Sequence, residues 1–380
     1  SMGQQRWPWG RLALLLLYSQ GNPRFASGLA RPGWVDEWLA SRRDRAEKKE
    51  KAAESAAIRA VEDPESAALA SAKREIARWK RIEAGTTDLQ RWIADQFRRG
   101  LARSGPDQRQ DWLSMAARMV DAQAPALAPR IHEALDLLAS GAHAEVVERL
   151  GLLQLVVEGV ARRSQLSPGR LADVRAALGW PPDKEDVAAG GEALTDVWRV
   201  LGQVTIERDA KLSERRVWLL GLQSGRHALL QDFSHAGRGW EQGWRHQAHY
   251  SATLRLYPGS VGMRALAADV RPVASDHAPA WASVEAAIEA ASLAFSSNPW
   301  LAHVPLILPA AVFRRQEAGW SAHTTAGLLP VAIADTPAWG LMAFAGGHPV
   351  CLMGEWDGRV LRLLSAWDEA GGAWTLEAGE

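Results

Sequence analysis

Ala189-Gly190-Gly191 is followed by Val197-Trp198-Arg199-Val200-Leu201-Gly202-Gln203-Val204-Thr205-Ile206. Two glycines stop one pattern, and a run rich in β-branched and aromatic residues starts another. With Pro181-Pro182 just upstream, this stretch marks a boundary near residue 190. Beyond it the apolar residues alternate. Arg216-Val217-Trp218-Leu219-Leu220-Gly221 reads as a strand, Gln223-Ser224-Gly225-Arg226 as a turn, and 227–233 as the hairpin partner. Further strands are expected over 251–257, 263–270, 304–313, 328–333, 340–345, 349–355 and 359–365. Trp356-Asp357-Gly358 supplies a hairpin turn between the last two. One amphipathic helix, 281–295, interrupts the strands and is stopped by Asn298-Pro299.

Before the boundary the period is helical. Asp63-Pro64-Glu65 is a helix start, with Asp as the cap and Pro at the first helical position. The helix carries Leu69, Ile76, Trp79 and Ile82, and Gly85 is expected to end it. Thr86-Thr87-Asp88 then caps the next, with Leu89, Trp92, Ile93, Phe97 and Leu101 on its stripe. Pro106-Asp107 and Ser167-Pro168 open two more, and 144–161 is apolar enough for a buried helix. The predicted fold is α+β: an all-α helical domain, 1–188, then a mostly antiparallel β domain, 189–380, with one inserted helix.

Composition narrows the function classes. Cys351 is the only cysteine, which excludes a disulfide-stapled scaffold. The 44 basic and 44 acidic residues cancel, which argues against a strongly electrostatic nucleic-acid binder taken whole. Residues 1–100 nevertheless hold 19 Lys/Arg against 13 Asp/Glu, so a polyanion contact is expected on the first helices, at Arg42, Arg43 and Arg45. The run Leu12–Tyr18 is far short of the roughly 20 residues that span a bilayer, and no cleavage site follows it. A cytoplasmic protein without membrane attachment is expected.

Chemistry is sparse. His246-Gln247-Ala248-His249 has a chelating spacing on a helix, but it enters a strand, where positions three apart face opposite sides. Asp276-His277 lacks partners. Gly347-His348-Pro349 with Cys351 suggests a Cys–His pair, but Val350, Leu352 and Met353 make Cys351 a buried strand thiol. Neither a phosphate-binding loop nor a hydrolase elbow occurs. No cofactor, metal or catalytic residue is assigned. Nineteen Trp against six Phe and three Tyr invert the usual aromatic order, which suits packing at junctions. Trp240 and Trp244, in the Gly-rich stretch 237–244, are expected to be exposed to a partner.

Several segments, taken in order, resemble bacterial SWIM zinc-finger family proteins beyond their zinc motif. They are Leu14-Leu15-Leu16-Leu17-Tyr18, Pro32-Gly33-Trp34-Val35-Asp36-Glu37-Trp38-Leu39, 115–125, 173–180, 216–221, Tyr257-Pro258-Gly259, Asn298-Pro299-Trp300 and Gly347-His348-Pro349-Val350 followed by Gly354-Glu355-Trp356-Asp357-Gly358. The resemblance makes 1–30 a remnant or degenerate end of the SWIM module. The family's Cys-x-His would fall at Pro8 and Gly10, neither of which ligates zinc. The resemblance implies a non-enzymatic interaction or adaptor protein, working with a MoxR-type AAA ATPase and von Willebrand A domain proteins. The alternatives are a nucleic-acid-associated factor using the basic helices, and an enzyme with a site around His348 and Glu355. Trp34, Trp38, Trp180, Trp218, Trp300 and Trp356 lie in the resembling segments and are expected to be at least half buried.

Overall fold

A computed structural model describes residues 63–101, 106–209, 212–235, 239–240, 242–274, 281–317 and 319–376. The expectations at Trp7, Trp9, Trp34, Trp38, Arg42, Arg43, Arg45, Asp276 and His277 lie outside them. Backbone proximity divides the chain into 1–77 and 78–380. In the first unit the described residues begin the helix α1, Pro64–Arg99. Asp63 caps it as expected, its Oδ1 accepting the Ser66 N–H at 3.0 Å.

The second unit opens with helices α1 (from Arg78), α2 (Pro106–Asp121), α3 (Leu127–Ala139), α4 (His143–Ala161), α5 (Pro168–Leu178) and the short α6 (Lys184–Gly190). α1 corrects the sequence reading, because it runs straight through Gly85. The Thr86 hydroxyl donates to the Ile82 carbonyl at 2.9 Å and the Thr87 hydroxyl to Glu83 at 2.8 Å, so both satisfy themselves inside the helix instead of capping a new one. Gly85 serves packing: a Cβ there would lie 2.3 Å from the Cβ of Ala122, just past the end of α2. The core of this bundle joins Trp79, Ile82, Trp92, Trp112, Met119, Ile131, Leu150 and Leu153.

The strands form two rings. β1 (Glu192–Asp209), β2 (Leu212–Gly221), β3 (His227–His235), β4 (His249–Leu256) and β5 (Arg264–Val273) close a barrel in the order β1-β2-β3-β5-β4. Its long first strand pairs with β4 through its first half and β2 through its second, with a bulge near Leu201. After α7 (Val284–Ser297) come β6 (Val304–Gln316), β7 (Gly319–Thr324), β8 (Gly327–Ala332), α8 (Asp335–Ala345), β9 (Val350–Trp356), β10 (Leu361–Trp367) and the edge strand β11 (Ala373–Thr375). Here the order is β6-β7-β8-β10-β9, with β9 pairing back to β6. β3 meets β5 in a parallel two-residue patch, as β8 meets β10. Every other pairing in both rings is antiparallel. The second ring therefore repeats the topology of the first, and both have the order and strand senses of a five-stranded OB-type barrel.

Two sequence expectations change here. Residues 340–345 belong to the helix α8, not to a strand, so the described residues of the β half carry two helices, α7 and α8. Ala338, Leu341 and Ala345 recur on the helix's buried side, a period that an apolar run this short does not reveal unambiguously. Trp244 is 5% exposed rather than open to solvent. It packs edge-on against Tyr250, ring centroids 4.9 Å apart, and belongs to the core of the first barrel. It lies in the β3–β4 connection, the place in the strand order that α8, between β8 and β9, takes in the second ring. A large apolar ring in a Gly-rich segment is free to fold inward, and burial favours that.

Candidate functional site

The resembling segments 173–180, 216–221, 257–259, 298–300 and 354–358, opaque as chemistry, meet at two joints. One couples the helical bundle to the barrels. Asp173 on α5 accepts the Ser260 N–H at 3.1 Å and the Asn298 side-chain amide at 3.0 Å. Gly259 is needed there, because a Cβ would come within 2.9 Å of the Asp173 carboxylate. Burial raises the Asp173 pKa, against the lowering effect of these hydrogen bonds. Next to it the Trp300 indole donates to the Leu152 carbonyl of α4 at 3.1 Å. Thus Asp173-Val174, Tyr257-Pro258-Gly259 and Asn298-Pro299-Trp300 work as one clamp.

The other joint locks barrel to barrel. The outer face of β1 and β2 presents Leu201, Val204, Trp218 and Leu220 to Ile307, Met353, Leu364 and Trp367. At its centre Glu355 is fully buried; one oxygen accepts the Arg216 guanidinium at 2.7 Å and the other the Trp218 indole N–H at 2.9 Å. The Ser365 hydroxyl donates to the Leu201 carbonyl at 2.7 Å. Gly202 allows the close approach, since a Cβ would lie 2.9 Å from the Leu364 Cβ. Trp218 is completely buried, and Trp180, Trp300 and Trp356 are mostly covered, as expected of junction residues.

The residues suggested for chemistry do not converge. His348 is exposed after α8, whereas Glu355 is sealed in the barrel joint. Cys351 sits on β9 as a strand thiol, and burial pushes its pKa up to about 12, so it is protonated at neutral pH. His246 stacks on Trp367 at 5.9 Å, and burial lowers its pKa to about 4. Among the described residues no cluster of His, Cys, Asp or Glu could hold a metal. Trp240 is partly covered, with the Arg215 guanidinium 4.6 Å from its ring.

The feature that sequence reading missed is on α4. This helix is rich in apolar residues, with Glu145, Glu148, Arg149, Gln154 and Glu158 set between them. Val146, Leu150, Leu153, Val157 and Val160 enter the bundle core, but Val147, Gly151 and Leu155 form a second stripe that faces solvent. Val147 is 46% and Leu155 47% exposed. A continuous apolar run of helix signals burial, and only the packing shows that one side is left open. The flank of the stripe is fixed: Glu148 is ion-paired with Arg359 from the β9–β10 turn, and Arg149 with Glu133 at 2.9 Å.

A match to a known domain falls on this same bundle. Residues 77–178 match the SWIM-associated four-helix bundle domain. The SWIM-associated domain runs from α1 to the end of α5, is consistent with the C-terminal region of a SWIM family protein, and leaves both barrels outside the match. No curated protein and no solved structure matches the chain. Among the described residues no helix is long and apolar enough to cross a membrane.

Proposed function

We propose that this protein is a non-enzymatic adaptor: a body of two locked barrels that carries the SWIM-associated bundle and offers the outer face of α4 to a protein partner. The observation that carries this is the solvent-facing apolar stripe of Val147, Gly151 and Leu155 on the outer side of α4. Aligned two turns apart on one helix face, the Val147 and Leu155 side chains offer a partner groove an apolar edge. The partner class, a MoxR-type AAA ATPase with von Willebrand A domain proteins, comes from the family resemblance. Within the proposal 1–188 and 189–380 remain the two functional halves, and Trp240 remains a secondary contact.

Leu155→Asp is expected to weaken binding of the purified ATPase by at least tenfold, about 1.4 kcal/mol. The thermal midpoint should stay within a degree or so of wild type, because Leu155 lies outside the bundle core. Binding that survives this substitution removes α4 from the interface.

A second reading is favoured by one observation, the OB-type topology of both barrels, a fold that often binds single strands. It gives the basic residues Arg42, Arg43 and Arg45 the role of phosphate contacts. Titration with single-stranded DNA at two salt concentrations tests it. The reading expects affinity that falls steeply with salt, and fails if nothing binds at low salt.

A further inference from the structure

Between the first barrel and α7 lies a cavity of about 650 Å³. Its walls are the β2–β3 turn, the β4–β5 loop at Val261–Met263, the start of β6 and one side of α7. That volume is within the range of small-molecule sites, on the order of 300–1,000 Å³. We propose that this cavity binds an uncharged, planar heteroaromatic small molecule, which stacks on Trp281 and hydrogen-bonds to His227. The proposal is independent of the α4 surface.

Three observations specify the ligand. First, the space is written into the sequence of α7. Ala286, Ala287, Ala290 and Ala294 line it, where leucines would have packed the helix onto the barrel and closed the gap. Second, Trp281 lines the cavity with its ring already held. It stacks on Trp367 at 5.4 Å and 18°, and Trp367 stacks in turn on His246. A platform fixed in this way accepts a flat ring without first being ordered. Third, the His227 Nε2 atom is buried without a hydrogen-bond partner. A buried polar atom left unpaired is costly; the atom is closed to solvent, so a ligand edge reaches it by displacing the side chains that cover it, and pairing then recovers the loss. The neutral imidazole can donate or accept according to its tautomer. Burial alone holds its pKa near 4, so the ring is uncharged at neutral pH.

The charge of the ligand follows from the rim. Arg226 is the one guanidinium among the lining residues, and it is paired with Glu192 at 2.7 Å. Gln223 and Ser224 add neutral polar groups. No uncommitted charge among the described lining residues would compensate an ionic ligand.

Indole is the test probe and cyclohexanol the non-planar control, each titrated into the whole chain by calorimetry. Indole is expected to bind at one site with a Kd of about 1 mM or tighter. His227→Phe should weaken it roughly tenfold, and Ala290→Trp, which fills the cavity from an exposed helix position, should abolish it. Imidazole nitrogen NMR gives a measure that does not depend on either variant folding: the His227 Nε2 signal should move on addition of indole. The proposal is overturned if indole does not bind at low-millimolar concentration, or if cyclohexanol binds equally well. Indole binding unchanged in Ala290→Trp, or a His227 signal that does not move, overturns it as well.

Discussion

Glu355→Ala is expected to lower the free energy of unfolding by about 3–5 kcal/mol, the usual cost of removing one member of a buried ion pair. The Arg216 side chain is 7% exposed, so its guanidinium would stay in the barrel joint with only Glu214, at 3.8 Å, as a counter-charge. The Trp218 N–H would lose its acceptor as well. The pair itself need not add net stability, since desolvation offsets much of its attraction. The double variant Arg216→Met/Glu355→Leu should therefore recover most of the loss. Urea unfolding of the single and double variants separates these effects. A single-variant cost under about 1 kcal/mol would mean that the joint is not a sealed interface.

Acid should destabilise the fold before any carboxylate pair is broken. Burial lowers the pKa of His227 and of His246 to about 4, from an ordinary 6.5. The folded state thus keeps both rings neutral where the unfolded chain takes up protons. Stability is complete above pH 6.5, falls as the pH drops towards 4, and levels off below that. Each histidine accounts for roughly 2 kcal/mol by pH 5. His303 is shifted in the same direction by burial, while the raised pKa of Asp173 works in the opposite sense. Two large histidine shifts outweigh one carboxylate. Denaturant unfolding at pH 7.5 and 5 measures the fall. His246→Phe, which keeps a ring on Trp367, should remove about half of the loss attributed to the two rings, and an unchanged pH slope in that variant would contradict the assignment.

The division into helices and strands was legible because periodicity changes at Gly190-Gly191, and the hairpin turns at Gln223–Arg226 and Asp357-Gly358 carry their own chemistry. The closing of two rings was not. Pairing β1 with β4, or β6 with β9, depends on contacts far apart in sequence that no local pattern encodes. Gly85 shows the limit in the helical half. Glycine can end a helix or admit a neighbour, and only the position of Ala122 decides between them. The repeated barrel escaped notice because topology, not sequence period, is what repeats.

The joints were half legible. Glu355 interrupts an apolar strand, Arg216 borders the apolar half of another, and a buried charge in that setting needs an opposite partner. Sequence alone could not pair them across more than a hundred residues. Five of the segments that carry the family resemblance, 173–180, 216–221, 257–259, 298–300 and 354–358, are places where modules meet: Asp173 with Ser260 and Asn298, and Trp218 with Glu355. Their meaning is mechanical: they hold modules together and form no catalytic constellation.

A photo-crosslinking amino acid at position 155, on the exposed stripe of α4, tests the adaptor account most directly, with a second at Leu328 on the second barrel as the control. Irradiation in the source cell is predicted to give one dominant protein adduct from position 155, an ATPase or von Willebrand A protein, and none from position 328. Adducts only from position 328, or only to nucleic acid, would contradict the account.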